Sequence, residues 1–133
     1  KDSSGELDRL KAYAEISRNK DFCLLVGSDS KILYGYGLGA TAAVAGTSNV
    51  IVDTLVGLDK ALRENDDEKA KQLQKDIDVL RGVLKLGTVP SVMKRATELA
   101  GIAEVGPARK PVQELSSEDD MKIKEMLKYY HLA

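Results

Sequence analysis

Apolar positions fall into two rhythms along the first 64 residues. After a polar opening, Lys1-Asp2-Ser3-Ser4-Gly5, the positions Leu7, Leu10, Ala14 and Ile16 mark one face of a helix predicted over about Glu6–Arg18. Asn19-Lys20-Asp21 turns the chain. Phe22–Val26 is then a continuous apolar run with the length and composition of a strand buried on both faces. It stops at Gly27-Ser28-Asp29-Ser30, where Ser28 or Asp29 can cap a short helix over about Lys31–Gly37. Thr41–Ala45, built from small and β-branched residues, predicts a second buried strand. Ser48 or Asn49 can cap the helix after it, whose Val52, Leu55, Val56, Leu58 and Leu62 form a broad apolar stripe.

From Asp66 onward only the helical rhythm remains. Ala70, Leu73, Ile77, Leu80 and Leu84 step by three and four along one face, and Gly87 is expected to end that helix. The acidic run Asp66-Asp67-Glu68 suits its positive N-terminal dipole. Pro90 can open the next helix in its first turn, with Val92, Ala96, Leu99 and Ala100 apolar and Gly101 as its stop. Ala103–Leu115, interrupted by Pro107 and Pro111, reads as extended connection. Ser117-Glu118-Asp119-Asp120 resembles a capping box opening a last helix, with Ile123, Leu127 and Tyr130 inward.

Strands alternating with helices at this spacing predict a parallel β/α architecture. The candidate strands should be parallel neighbours, with Lys1, Asp29 and Gly46 at one end. Three units are fewer than the roughly eight that close a TIM barrel. An isolated three-stranded parallel piece would leave an edge uncovered. The expected fold class is therefore α/β: about strands 6–8 of a TIM (β/α)8 barrel, followed by a three-helix extension. The division falls at residues 1–64 for the β/α units and 65–133 for the helices, and the polypeptide is expected to be a piece of a longer one.

Composition narrows the function classes. Hydrophobic residues make up 43% and charged residues 31% of the 133, a globular balance. Twenty basic against twenty-one acidic residues, with no Trp and one Phe, argue against a nucleic-acid partner. No apolar stretch approaches the roughly 18 residues that span a bilayer, so no membrane role is expected. Cys23, the single cysteine, is expected in the core. His131 is the only histidine, so neither a zinc site nor a Cys-His dyad is expected.

Lys1 is the leading candidate for chemistry, because the carboxyl end of a strand is where an α/β barrel keeps its catalytic groups. An amine attacks a ketone only when unprotonated, and free lysine has a pKa of about 10.4. Desolvation in a barrel mouth would lower that value and supply the nucleophile. Three further segments follow in order: Gly27-Ser28-Asp29-Ser30, Val44-Ala45-Gly46 leading into Thr47-Ser48-Asn49, and Gly106-Pro107-Ala108-Arg109-Lys110-Pro111.

This series resembles the second half of the dihydrodipicolinate synthase/N-acetylneuraminate lyase family, the pyruvate-dependent class I aldolases. The resemblance implies that Lys1 forms a Schiff base with pyruvate, and no cofactor or metal is expected. It makes Gly27, Asp29 and Ser30 contacts for the aldehyde part of the substrate, where Asp29 can accept hydrogen bonds from sugar hydroxyls. Val44 and Gly46 would line the pyruvate end. The family often has serine where Gly46 stands, a departure that removes a hydroxyl. Arg109 is expected in a salt bridge or subunit contact.

The implied activity is reversible cleavage of a 2-keto-3-deoxy sugar acid, or a related 2-oxo acid, to pyruvate and an aldehyde. The implied partners are those substrates, the N-terminal half of the barrel and further copies of the chain in a dimer or tetramer, in the cytoplasm. The proton-relay tyrosine and the loop holding the pyruvate carboxylate would lie upstream. Two alternatives stay open: dihydrodipicolinate synthase, condensing pyruvate with aspartate semialdehyde, and a non-catalytic half-barrel assembly fragment.

Overall fold

The computed structural model describes residues 1–133. The elements, in chain order, are α1 (Leu7–Arg18), β1 (Leu25–Val26), α2 (Ile32–Gly37), β2 (Ala42–Ala43), α3 (Val52–Arg63), α4 (Asp67–Arg81), α5 (Val89–Leu99) and α6 (Ser117–Tyr129). Three 3-10 turns intervene at Asp29–Lys31, Gly46–Asn49 and Leu84–Leu86.

β1 and β2 pair in parallel, with Leu25 opposite Ala42 and Val26 opposite Ala43. Asp2 adds a parallel bridge to Val26 on the other side. Its N–H donates to the Leu25 carbonyl at 3.0 Å, and Thr41 and Val44 N–H groups extend the second ladder to Leu24 and Val26 carbonyls. Three parallel segments thus lie side by side in sequence order, and all three run out at the same end. α1 and α2 cover one face: Leu10 and Ala14 of α1 are buried, as are Ile32 and Gly35 of α2. Gly35 is glycine because α2 lies directly on β1, where a Cβ would collide with the Val26 side chain.

The strands are shorter than the sequence pattern predicts. Phe22 is 45% exposed and Cys23 is exposed as well, so neither belongs to the core. The turn after α1 runs on as far as Phe22, whose N–H donates to Lys20, and ladder pairing begins only at Leu24. Both side chains therefore precede the packed part of the sheet.

α3 and α4 pack antiparallel across a short turn, Glu64–Asp66, that places Asn65 at φ 57°. Asp66 caps α4 by accepting the Lys69 N–H. The buried face of α4 is Ala70, Gln74, Ile77 and Leu80. α4 ends at Arg81, earlier than Gly87, and Leu84 sits in a separate 3-10 turn. α5 is capped by Thr88, carries Pro90 in its first turn and stops before Gly101 at φ 68°. α6 is opened by a full capping box between Ser116 and Asp119, one residue before the predicted Ser117. Neither Ser48 nor Asn49 caps α3: both belong to the preceding 3-10 turn.

One cluster of 19 buried apolar side chains runs from Leu10 to Leu127 and joins the β/α part to the helices. Arg95 fastens α5 to α6 with a two-pronged contact to Asp120 at 2.7 and 2.6 Å, and reaches Glu98 at 3.1 Å. That pairing holds the Asp120 carboxyl below its ordinary range. Tyr130 ties α6 to α4. Its hydroxyl sits between the Leu80 N–H and the Asp76 carbonyl, two groups that a regular helix pairs directly. Burial pushes that phenol up to about 12. Arg109, expected in a salt bridge or subunit contact, is exposed and forms no ion pair within the chain, which leaves it free for a contact between subunits.

Candidate active site

The carboxyl ends of the parallel segments open into a cavity of about 520 Å³. Lys1, Gly27, Asp29, Val44 and Gly46 all line it. Residues separated by up to 45 positions in sequence therefore meet on one surface, as the carboxyl ends of neighbouring parallel strands do. Ser30 does not line the cavity; it lies within the 3-10 turn that leads into α2.

Each segment reaches the cavity for a local reason. The Asp2 carboxylate accepts the Ser4 N–H at 3.1 Å and the Ser4 hydroxyl at 3.0 Å, folding the first residues into a side-chain-closed turn. Gly5 at φ 74° completes it. Lys1 is left exposed at the strand end, and Gly27 lies beneath it. A Cβ on Gly27 would run into Lys1 Cε and the Ser3 hydroxyl, and would stand 2.9 Å from the Asp2 carbonyl. The missing side chain is the space in which the lysine stem lies.

Asp29 is only 6% exposed and does not cap α2. Its Oδ2 instead accepts the Thr47 N–H at 2.9 Å, across to the turn that follows β2. Its own carbonyl accepts the Gln74 Nε2 at 3.0 Å, and Gln74 Oε1 accepts the Leu33 N–H at 3.0 Å. Thr47 is 1% exposed, and its hydroxyl is buried without a hydrogen-bond partner. Val44 is 49% exposed into the open side of the cavity, and a Cβ on Gly46 would meet nothing within 4 Å. No group of three or more His, Cys, Asp or Glu side chains is placed to hold a metal ion.

Several cavity residues carry no motif. Arg81, Leu84, Val89 and Met93 reach it from the helices beyond residue 65. Gln74 sits behind it. One signal in the sequence did point there: a polar residue at the i+4 step from Ala70 on a face otherwise apolar.

A lysine at the carboxyl end of parallel β/α strands, facing loops from the neighbouring strands, defines the class: a partial α/β barrel presenting a strand-end amine. Within that class, the model of the Dihydrodipicolinate synthetase family matches residues 1–130, and the chain belongs to that family. A 4-hydroxy-tetrahydrodipicolinate synthase of Methanospirillum hungatei is 28% identical over 130 residues, 98% of this chain and 44% of that protein. The dihydrodipicolinate synthase structure from Aquifex aeolicus superposes with a TM-score of 0.86 at 31% identity, covering 99% of this chain and 44% of that one. The sialic acid aldolase structure from Ruminococcus gnavus superposes at 0.84 with 21% identity, covering 96% and 43%, a likeness of fold. The chain spans less than half the length of these relatives.

Proposed function

We propose that the full-length protein is a pyruvate-dependent class I aldolase, and that this chain is its C-terminal part: about strands 6–8 of a TIM barrel in residues 1–64 and a helical extension in 65–133. The convergence of Lys1, Gly27, Asp29, Val44 and Gly46 on one cavity carries the reading. The Lys1 amine attacks the C2 carbonyl of a 2-keto-3-deoxy sugar acid, and water leaves to give an iminium. The C3–C4 bond breaks with its electron pair drawn into the iminium, while the C4 hydroxyl gives up its proton and departs as an aldehyde. Protonation of the resulting enamine at C3 and hydrolysis release pyruvate and restore the amine. Lys1 is the nucleophile, Val44 and Gly46 flank the pyruvate end, and Gly27 and Asp29 border the aldehyde end. Ser30 is left out of this set because it stands outside the cavity. Proton transfers fall to the upstream half of the barrel, and the family resemblance supports a homodimer or homotetramer in the cytoplasm.

A second reading has its own support. The curated relatives from Methanospirillum hungatei, Methanoculleus marisnigri and Archaeoglobus fulgidus, 28% to 34% identical, are all named 4-hydroxy-tetrahydrodipicolinate synthase. On that reading the same lysine adduct of pyruvate condenses with aspartate semialdehyde. The Gly27-Ser28-Asp29-Ser30 run and the Thr47-Ser48-Asn49 run favour the sugar-acid reading. Assaying the full-length protein with 2-keto-3-deoxygluconate and, separately, with pyruvate plus aspartate semialdehyde decides. Cleavage of the sugar acid at the higher kcat/KM supports the aldolase, and the reverse ranking supports the synthase. Turnover of neither, with no adduct on Lys1, leaves the non-catalytic assembly fragment.

A further inference from the structure

We propose that Gln74 is a positioning residue for the aldehyde side of the site, acting through Asp29 and Thr47. The inference rests on the aldolase reading and adds to it a role for the helical extension.

Gln74 lies on α4, 45 residues from Asp29, and is 8% exposed. Its carboxamide uses both ends. Nε2 donates to the Asp29 carbonyl at 3.0 Å, and Oε1 accepts the Leu33 N–H at 3.0 Å. One side chain thereby spans the 3-10 turn that carries Asp29 and the first turn of α2, where no side chain of the turn itself acts as a cap. Asp29 passes the constraint on, since its Oδ2 accepts the Thr47 N–H at 2.9 Å. Thr47 follows Gly46 directly, so the turn that walls the cavity after β2 hangs on this relay. Gln74, Asp29 and Thr47 are three of the six buried polar or charged residues in the chain. The Gln74–Asp29 and Asp29–Thr47 bonds are both buried, where they are shielded from competing water and an unmade bond is costly.

The geometry separates the two halves of the reaction. Lys1 and Gly27 are tied to β1 through Asp2, and the hydrogen bonds of Gln74 go to Asp29 and Leu33 rather than to either of them. Loss of Gln74 should therefore loosen Asp29 and the Gly46–Asn49 turn and leave the amine in place. A remote change that shifts a positioning group by about 1 Å can cost up to two decades in rate.

The test uses the full-length protein with three variants, Gln74→Leu, Gln74→Glu and Gln74→Asn. Gln74→Leu should lower kcat/KM for 2-keto-3-deoxygluconate, or for aspartate semialdehyde if that is the better substrate, about tenfold. Borohydride trapping of pyruvate should fall much less than turnover, since the amine stays in place although Gly46, at the pyruvate end, shares the loosened turn. Gln74→Glu keeps an acceptor for the Leu33 N–H but loses the donor to Asp29, so it should share the kinetic defect, whereas a role confined to holding α2 would leave it close to wild type. Amide exchange over residues 44–50 gives a readout that needs no substrate: it should quicken in Gln74→Leu and Gln74→Asn, because the Thr47 N–H loses a fixed acceptor. Wild-type exchange and wild-type kinetics in Gln74→Leu would overturn the proposal. Equal losses in trapping and turnover would overturn it too, since they would mark a fold-wide effect. Failure of the wild-type protein itself to trap pyruvate would instead remove the aldolase reading, and the exchange result would still decide whether the relay exists.

Discussion

Lys1 lies over Gly27, in space that exists only because Gly27 has no side chain: a Cβ there would meet Lys1 Cε and stand 2.9 Å from the Asp2 carbonyl. The proposed nucleophile and the glycine of the neighbouring strand end are therefore a steric pair. Gly27→Ala in the full-length protein should cut pyruvate trapping at Lys1 by more than tenfold, because the stem must swing away or β1 must move. Gly37→Ala on α2, outside the cavity lining and with nothing within 4 Å of its Cβ, should fold and trap normally. Trapping yields per folded molecule, with folding checked by circular dichroism, compare the two. Equal yields would dissolve the pair.

Asp29 was expected from the sequence to face sugar hydroxyls, and its carboxylate also has a structural task at Thr47. Asp29→Ala removes the acceptor of a buried N–H, a loss of about 1.5–3 kcal/mol for a charged hydrogen bond, so kcat/KM should fall roughly ten- to a hundredfold. Asp29→Asn keeps an acceptor for Thr47 and should recover a large part of that loss. If Asn is as damaging as Ala, the negative charge itself is needed and direct contact with the substrate is the better account.

The Arg95–Asp120 contact predicts a pH dependence. Arg95 holds the Asp120 carboxyl below its ordinary value, so the folded state favours the carboxylate more than the unfolded chain does. The stabilisation is present above the unfolded pKa and is lost as pH falls through the folded one. Arg95 is 39% exposed, and screening limits the pair to about 1 kcal/mol. Asp120→Asn should lower stability by about that amount at pH 7. The gap between the proteins should close below the ordinary carboxylate range, about pH 4. Urea denaturation at pH 7, 5 and 3 checks it. A gap that persists at the lowest pH would mean that Asp120 acts through packing.

The parts legible in the sequence are those set by local chemistry. The Pro90 start and the Gly101 stop stand where their residues put them, within a residue or two. The α4 stripe, by contrast, breaks off at Arg81, short of Gly87, and Leu7, Ile16, Val52 and Val56 of the predicted stripes are exposed. Strand ends were legible because Gly27 and Gly46 break apolar runs at the positions where parallel strands open to a site. Strand lengths were not: an apolar run cannot say where a neighbour begins to pair, and Phe22 and Cys23 fall before that point. Asp29 reads as a helix cap from its position, yet its carboxylate goes to a turn 18 residues on, and no periodicity encodes that. Gln74 and Arg95 act over 45 and 25 residues, distances at which only the fold supplies the partner.

The central claim is that Lys1 is the nucleophile of a pyruvate aldolase. Incubating the full-length protein with pyruvate and borohydride, then locating the adduct by peptide mass spectrometry, tests it most directly. The account predicts one reduced pyruvate adduct per chain, on the residue numbered Lys1 here, absent in Lys1→Ala, which should also lose turnover. An adduct on another lysine, or a Lys1→Ala protein that keeps a near-normal rate, would contradict it.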